Sequence, residues 1–205
     1  MTFAARAVSK GRAALFISLV SLAFSGASLY ETVLRQPRLT IFAGCNWQYW
    51  RGPRLNDEYY VIPITVANDG ARGGTVLAIE LKVDKGGQSR AHTGNFTVAG
   101  DKTRQLFAPL VVAGRSSATA SIMFTQQAPS GSPLVDEPGH YEASLAVRTA
   151  VGSSYGFIDR LFASPPPEQL HLKILLRRLD ITTVLRDPAS FDACDLGDLP
   201  TAQAK

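Results

Sequence analysis

Residues 77–84 read Leu-Ala-Ile-Glu-Leu-Lys-Val-Asp, with Leu77, Ile79, Leu81 and Val83 alternating against Ala78, Glu80, Lys82 and Asp84. A helix would bring every third or fourth residue to one face, whereas a period of two belongs to a strand with one face buried and one in water. Five further runs carry the same period. Leu39, Ile41 and Ala43 form one, and Tyr60, Ile62, Ile64 and Val66 another. Ala118 to Phe124, Tyr141 to Val147 and Leu170 to Leu176 complete the set, with weaker runs over 95–99 and 106–112.

Turn residues separate the runs: Asn68-Asp69-Gly70 with Arg72-Gly73-Gly74, then Lys85-Gly86-Gly87, then Ala113-Gly114-Arg115. Glycine and asparagine supply the backbone conformations that tight turns need. Pro133 to Gly139 makes a longer loop, and Pro165-Pro166-Pro167 stiffens the approach to the last run. No long amphipathic pattern follows residue 36. The expected fold class is all-β: an antiparallel, Ig-like β-sandwich of seven or eight strands.

A different texture precedes it. Residues 13–34 are AALFISLVSLAFSGASLYETVL, with Glu31 the single charge. At 1.5 Å per residue this run extends roughly 33 Å as a helix, about the thickness of a bilayer's hydrocarbon core. Arg6, Lys10 and Arg12 precede it without an acidic residue, so the positive-inside rule places the N-terminus in the cytoplasm. Tyr30 and Arg35 suit the opposite interface. The expected organisation is a basic flank (1–12), a transmembrane signal-anchor helix (13–35), an extracytoplasmic sandwich (36–178) and a solvated C-terminal tail (179–205). Ser25-Gly26-Ala27 also fits a signal-peptidase site, which would start the mature chain at Ser28. The run resumes past that point with Leu29, Tyr30, Val33 and Leu34, which favours the anchor. Both routes put the sandwich on the far side of an inner (plasma) membrane. Small residues four apart, Ser21 with Ser25 and Ala23 with Ala27, would permit close helix packing but are common in any anchor.

The formal charge is +4, yet residues 1–35 carry four basic groups and one acidic, leaving 17 basic against 16 acidic over 36–205. A nucleic-acid surface needs basic groups clustered on the folded domain, so no nucleic-acid partner is expected. His92, His140 and His171 stand far apart in sequence, with no metal-ligand spacing among them. No serine sits in a nucleophile elbow, and the glycines at 70–74 lack the Lys-Ser/Thr of a phosphate loop. Asp187, Asp192, Asp195 and Asp198 lack the spacing of a calcium loop. No catalytic residue, cofactor or metal site is assigned.

Two stretches resemble known modules. Tyr60-Val61-Ile62-Pro63-Ile64-Thr65-Val66-Ala67-Asn68-Asp69-Gly70 is similar to the V-x-N-x-G strand and turn of bacterial Ig-like modules of the CARDB type. Glu137-Pro138-Gly139-His140-Tyr141 resembles the D-x-G-x-Y tyrosine corner, with Glu137 in place of the usual acid, Gly139 at the turn and Tyr141 as the corner residue. No cysteine follows Tyr141, so the inter-sheet disulfide of antibody domains is absent. The resemblance implies Ig-like architecture and an interaction or scaffold role.

The candidate partner-binding stretch is Cys45 to Arg54, which holds both tryptophans of the chain. Trp47, Tyr49 and Trp50 with Arg51 and Arg54 match the aromatic-plus-arginine make-up of protein interfaces and of sugar-stacking platforms. The competing reading packs these aromatics into the core or against lipid headgroups. Cys45 and Cys194, the two cysteines, either remain thiols or form a bridge closing a loop of about 150 residues, as an oxidising compartment permits. Asn95-Phe96-Thr97 is a glycosylation triplet of the kind expected by chance. These residues point to a membrane-anchored, extracytoplasmic, non-catalytic module contacting the bilayer through 13–35 and another membrane or envelope protein. The alternatives are a glycan- or cell-wall-binding domain using Trp47, Tyr49 and Trp50, and an enzyme whose constellation is hidden by distance in sequence.

Overall fold

A computed structural model describes residues 3–51, 57–100, 103–126, 134–135, 139–150, 169–178 and 189–192; for 3–13, 139–140, 169–178 and 189–192 only the backbone is described. Helix α1 (Phe3–Leu29) runs on into a wider π-helical turn (Tyr30–Leu34). Eleven strands follow among the described residues: β1 (Leu39–Ala43), β2 (Asn46–Arg51), β3 (Glu58–Asn68), β4 (Gly74–Lys85), β5 (Gln88–Val98), β6 (Arg104–Leu106), β7 (Leu110–Val112), β8 (Ser116–Gln126), β9 (Gly139–Thr149), β10 (Gln169–Arg178) and β11 (Ala189–Asp192). The expected class therefore holds: antiparallel β-structure behind one apolar helix.

All the strand pairs are antiparallel, and eight strands pair in a closed ring: β3 with β2, then β11, β10, β9, β4, β5, β8 and back to β3. Strand β5 makes one corner. Gln88–Thr93 pair with β4, whereas His92–Val98 pair with β8, with an irregularity between Gly94 and Phe96. A bulge of this kind bends a strand and increases its twist, which lets one strand serve both halves. β1 adds to β3, β6 to β5 and β7 to β4.

The alternation read from the sequence maps onto the core. Tyr60, Ile62, Ile64 and Val66 of β3 and Ile122 and Phe124 of β8 join Val76, Ile79, Leu81 and Val83 of β4 and Tyr141, Ala143, Leu145 and Val147 of β9 in one buried cluster. Leu77 departs from the expected phase: it is exposed, and Val76 is buried instead. The register between β4 and β9 shifts between Val76 and Ala78, and an extra residue there turns the side chain to the other face. A second departure is the tail. Ala189–Asp192 is a strand inserted between β2 and β10, so the region expected as a solvated tail supplies a member of the ring.

At the helix end of the domain, Asn68 organises the chain. Its Oδ1 accepts from Arg38 N (3.1 Å) and Gly70 N (3.0 Å), and its Nδ2 donates to Arg72 O (2.8 Å) and Ala113 O (3.1 Å). Ala71 N and Arg72 N both donate to Arg35 O, Asp69 N donates to Arg38 O, and Arg115 N donates to Gly70 O. The Asn68-Asp69-Gly70 turn thus grips the segment that leaves the helix. Gly70 lies against the backbone of Gln36 and Pro37, and Gly114 against the backbone of Ala71. A side-chain carbon at either place would overlap main-chain atoms that cannot swing aside.

Gly86 differs. It has φ of +55° and open space around it, next to Gly87 in the two-residue turn between β4 and β5, where both central residues need positive φ. Gly114→Ala is therefore expected to lower unfolding free energy by at least about 2 kcal/mol, as overpacking does. Gly86→Ala should cost only about 1 kcal/mol of backbone strain. Denaturant titration of the two variants side by side measures the difference; equal losses would contradict the packing assigned to Gly114.

Candidate functional site

The aromatic stretch singled out in the sequence forms β2 and is built inward. Asn46 and Gln48 are exposed while Trp47 and Tyr49 are fully buried, so the stretch obeys the strand period. Trp47 Nε1 donates to Gly44 O (2.7 Å), which satisfies the indole where it is buried. Tyr49 and Tyr60 sit opposite one another in the β2–β3 register, with ring centroids 5.0 Å apart. The expectation that Trp47 and Tyr49 face a partner is corrected here: neither has surface to offer, and the core-packing alternative describes their placement.

Below these rings lies a group of buried polar side chains. Glu58, the first residue of β3, has no exposed surface. Its Oε1 accepts from the Tyr49 hydroxyl (2.8 Å) and from the backbone N–H groups of Leu134 and Val135 (3.1 Å each). Its Oε2 accepts from Arg90 Nη1 at 3.0 Å, an ion pair in which the arginine side chain is only 14% exposed. Arg51 Nη2 donates to Val135 O (2.7 Å), closing the group over the same segment. One carboxylate so joins β2, β3, β5 and residues 134–135. A buried charge is tolerable when it is paired and its remaining lone pairs are filled, and here they are. Burial, followed by the Glu58 charge, pushes the Tyr49 phenol well above its usual pKa, so it stays a hydrogen-bond donor. Burial is also the first cause of the rise at Tyr60. With three donors on Oε1 and a guanidinium on Oε2, this carboxylate is fully engaged in holding the fold.

His92 completes the group. It is fully buried, its ring packs edge-on to Tyr60 at 4.9 Å, and neither ring nitrogen closes a hydrogen bond among the described residues. Desolvation is the largest influence on it and lowers its pKa to about 4; the Glu58 charge and the nearby backbone of Leu81 and Arg90, too poorly aligned for full hydrogen bonds, act in the opposite direction, and the Arg90 charge in the same one. Nothing in the sequence separates this histidine from a surface one except its place in β5, where it falls between the exposed Ala91 and the half-buried Thr93.

The outer face carries a smaller arrangement. Trp50, half-buried, stacks on Tyr59 with centroids 5.9 Å apart, and Arg104 lies 5.8 Å over the Trp50 ring. Arg54 lies outside the described residues, as does Glu137 of the expected tyrosine corner. Gly139 opens β9 opposite Arg178. Tyr141 is buried in the core, with Lys85 Nζ 5.3 Å from its ring centroid. Cys45 is disulfide-bonded, and Cys194, the other cysteine of the chain, lies outside the described residues. Among the described residues, no three histidine, cysteine or acidic side chains are grouped to hold a metal ion.

No protein-family model matches the chain, and no curated protein matches it in sequence. Two solved structures show a loose likeness. One is a Bordetella pertussis protein assigned as ApaA, at 11% identity and a TM-score of 0.31, covering 58% of this chain and 85% of that one. The other is a Bacillus subtilis protein assigned as a lipoprotein, ycdA, at 13% identity and a TM-score of 0.37, covering 70% of this chain. This chain spans 39% of the Bacillus protein's length. Alignments this loose fix neither family nor activity.

The buried histidine sets a pH dependence. Its folded-state pKa lies below the value of an exposed histidine, so the unfolded chain takes up this proton first as pH falls. Stability from this source is complete above pH ~6.5 and declines down to about 4, by about 3 kcal/mol in all. Denaturant unfolding at pH 7 and at pH 4 measures it. Wild type should lose about 3 kcal/mol more than His92→Phe over that interval, and equal losses would contradict the assignment.

Proposed function

We propose that the chain is a membrane-anchored, extracytoplasmic, non-catalytic interaction or accessory module. The observation that carries this reading is α1. Residues Ala14–Leu34 form a helix long and apolar enough to cross a membrane, with none of it buried against the domain. Leu15, Phe16, Ile17, Leu19, Leu22 and Phe24 are all more than half exposed, distributed around the helix rather than along one stripe. A helix apolar on every side needs an apolar surrounding, and a bilayer supplies one. Its hydroxyls support the same reading: Ser18 Oγ donates to Ala14 O (3.0 Å) and Thr32 Oγ1 to Ser28 O (2.7 Å), so neither needs water.

Orientation rests on charge. Arg6, Lys10 and Arg12 precede the span, which favours a cytoplasmic N-terminus and a domain on the outer side of the plasma membrane. A partner among membrane or envelope proteins follows from that position, since the domain is held at the membrane surface. A non-catalytic role is supported by the state of the buried polar group, whose carboxylate has no exposed surface and accepts from four donors of the fold itself. The glycan-contacting alternative required Trp47 and Tyr49 to be open to a sugar. With both buried it is left with Trp50, whose ring already meets Tyr59 and Arg104.

Membrane fractionation tests the reading. The chain is expected to stay with membranes through an alkaline carbonate wash, to retain residues before Ser28 by mass spectrometry, and to be digested by protease added to intact spheroplasts. Release by the wash, or a mature N-terminus at Ser28, would overturn the anchor. Protection in spheroplasts with digestion only after lysis would reverse the orientation.

A further inference from the structure

We propose that Arg38, Arg72 and Arg115 form a docking surface for the phosphate groups of anionic phospholipids, holding the helix end of the domain down on the bilayer. This rests on the reading of α1 as a membrane span. Position comes first. Arg115 Nη2 donates to the backbone oxygen of Glu31 at 2.6 Å, and Glu31 lies inside the apolar stretch Ala14–Leu34. Glu31 stands three positions before Leu34 in the wider turn, no more than about 4.5 Å along the axis. The headgroup layer on each side of the hydrocarbon is only about 5–8 Å deep. Arg115 therefore reaches a residue just inside the end of the apolar stretch, which sets its guanidinium at the border between hydrocarbon and headgroups when the span is in place.

Arg72 and Arg38 belong to the same end. Arg72 N donates to Arg35 O, one residue past the span, and Arg38 O accepts from Asp69 N. The loops 68–72 and 113–115 are packed backbone to backbone through Gly114 and Ala71, so the three arginines move as one unit with the helix exit.

Charge and chemistry point the same way. Glu31 is engaged by Arg35 at 2.9 Å, and none of Arg38, Arg72 and Arg115 forms a salt bridge among the described residues. Asp69 is the one exposed acid in these turns, and it stands against three arginines. Guanidinium groups match phosphate oxygens in paired hydrogen bonds, which ammonium groups do not.

The backbone adds an independent observation. Arg115 has φ of +55°, the sole non-glycine residue with positive φ among those described. A conformation so unfavourable for a side chain persists where its surroundings enforce it, and such outliers cluster at functional positions. From this turn the Arg115 guanidinium reaches Glu31 O near the end of the helix.

Hydrogen exchange of the full chain in lipid nanodiscs is the test, with discs of phosphatidylcholine alone or with roughly a third phosphatidylglycerol. Each arginine near an anionic surface contributes roughly a fivefold factor. Amides over 69–73 and 113–116 should exchange at least about fivefold more slowly in the anionic discs. The difference should vanish in the triple variant Arg38→Gln, Arg72→Gln, Arg115→Gln and return in part with lysine at the same three positions.

Equal exchange in both lipids, with the chain co-eluting with the discs, would overturn the docking surface while leaving the span intact; the arginines would then await an acidic protein partner. An undiminished difference in the glutamine variant would overturn it as well. A chain that elutes apart from the discs would remove the span, and this proposal with it. Should the glutamine variant fail to fold, the two-lipid comparison on the wild-type chain still decides.

Discussion

A single carboxylate with no exposed surface sets the terms for one end of this domain. Glu58 is satisfied by Arg90 on one oxygen and by three donors on the other, drawn from β2 and from residues 134–135. Removing any partner would leave a buried charge short of compensation, a penalty larger than that of a lost surface contact. The consequence for function is direct. Tyr49 must point inward to reach the carboxylate, Arg51 must cover Val135, and the strand period then puts Trp47 inside as well. The richest aromatic stretch of the chain is thereby committed to the core.

Strand β3 carries a second buried polar residue at its other end. Asn68 holds together the segment leaving the helix, the β3–β4 turn and the end of β7. Its amide replaces backbone partners that no strand could supply where three loops converge, as a buried polar group must. The two residues divide the work: Asn68 fastens the domain to the N-terminal helix, and Glu58 closes the end away from it. Between them β3 pairs with β1, β2 and β8, so helix attachment, core and closure share one strand.

How far the sequence revealed this depends on the kind of interaction. Alternation in β3, β8 and β9 was legible because each buries one face against an apolar core, and period two follows from that alone. The N-terminal helix was legible for a different reason: its stretch of 21 residues, apolar on every side, could cross a membrane, and that shows in composition alone. Leu77 was misplaced because a bulge changes the phase of a strand without leaving a signature residue. The sequence leaves β2 open between a partner-binding stretch and core packing although Asn46, Trp47, Gln48 and Tyr49 alternate; aromatics beside arginine look alike whether they meet a partner or a buried carboxylate. β11 is four residues long and has too little pattern to register. The grouping of Glu58, Arg90 and His92 is not legible because their meeting depends on register between strands distant in sequence. The asparagine of the V-x-N-x-G motif was visible as a turn residue, and only the folded chain shows that it grips the segment leaving the helix.

The claim on which the rest turns is that the Glu58–Arg90 pair locks the far end and makes the aromatic stretch structural. A double-mutant cycle with Glu58→Leu and Arg90→Leu, read by denaturant unfolding of the full chain, measures it most directly. Each single change is predicted to cost about 3–5 kcal/mol, and the double variant to cost at least about 2 kcal/mol less than their sum. Losses that add to within about 0.5 kcal/mol would contradict the account.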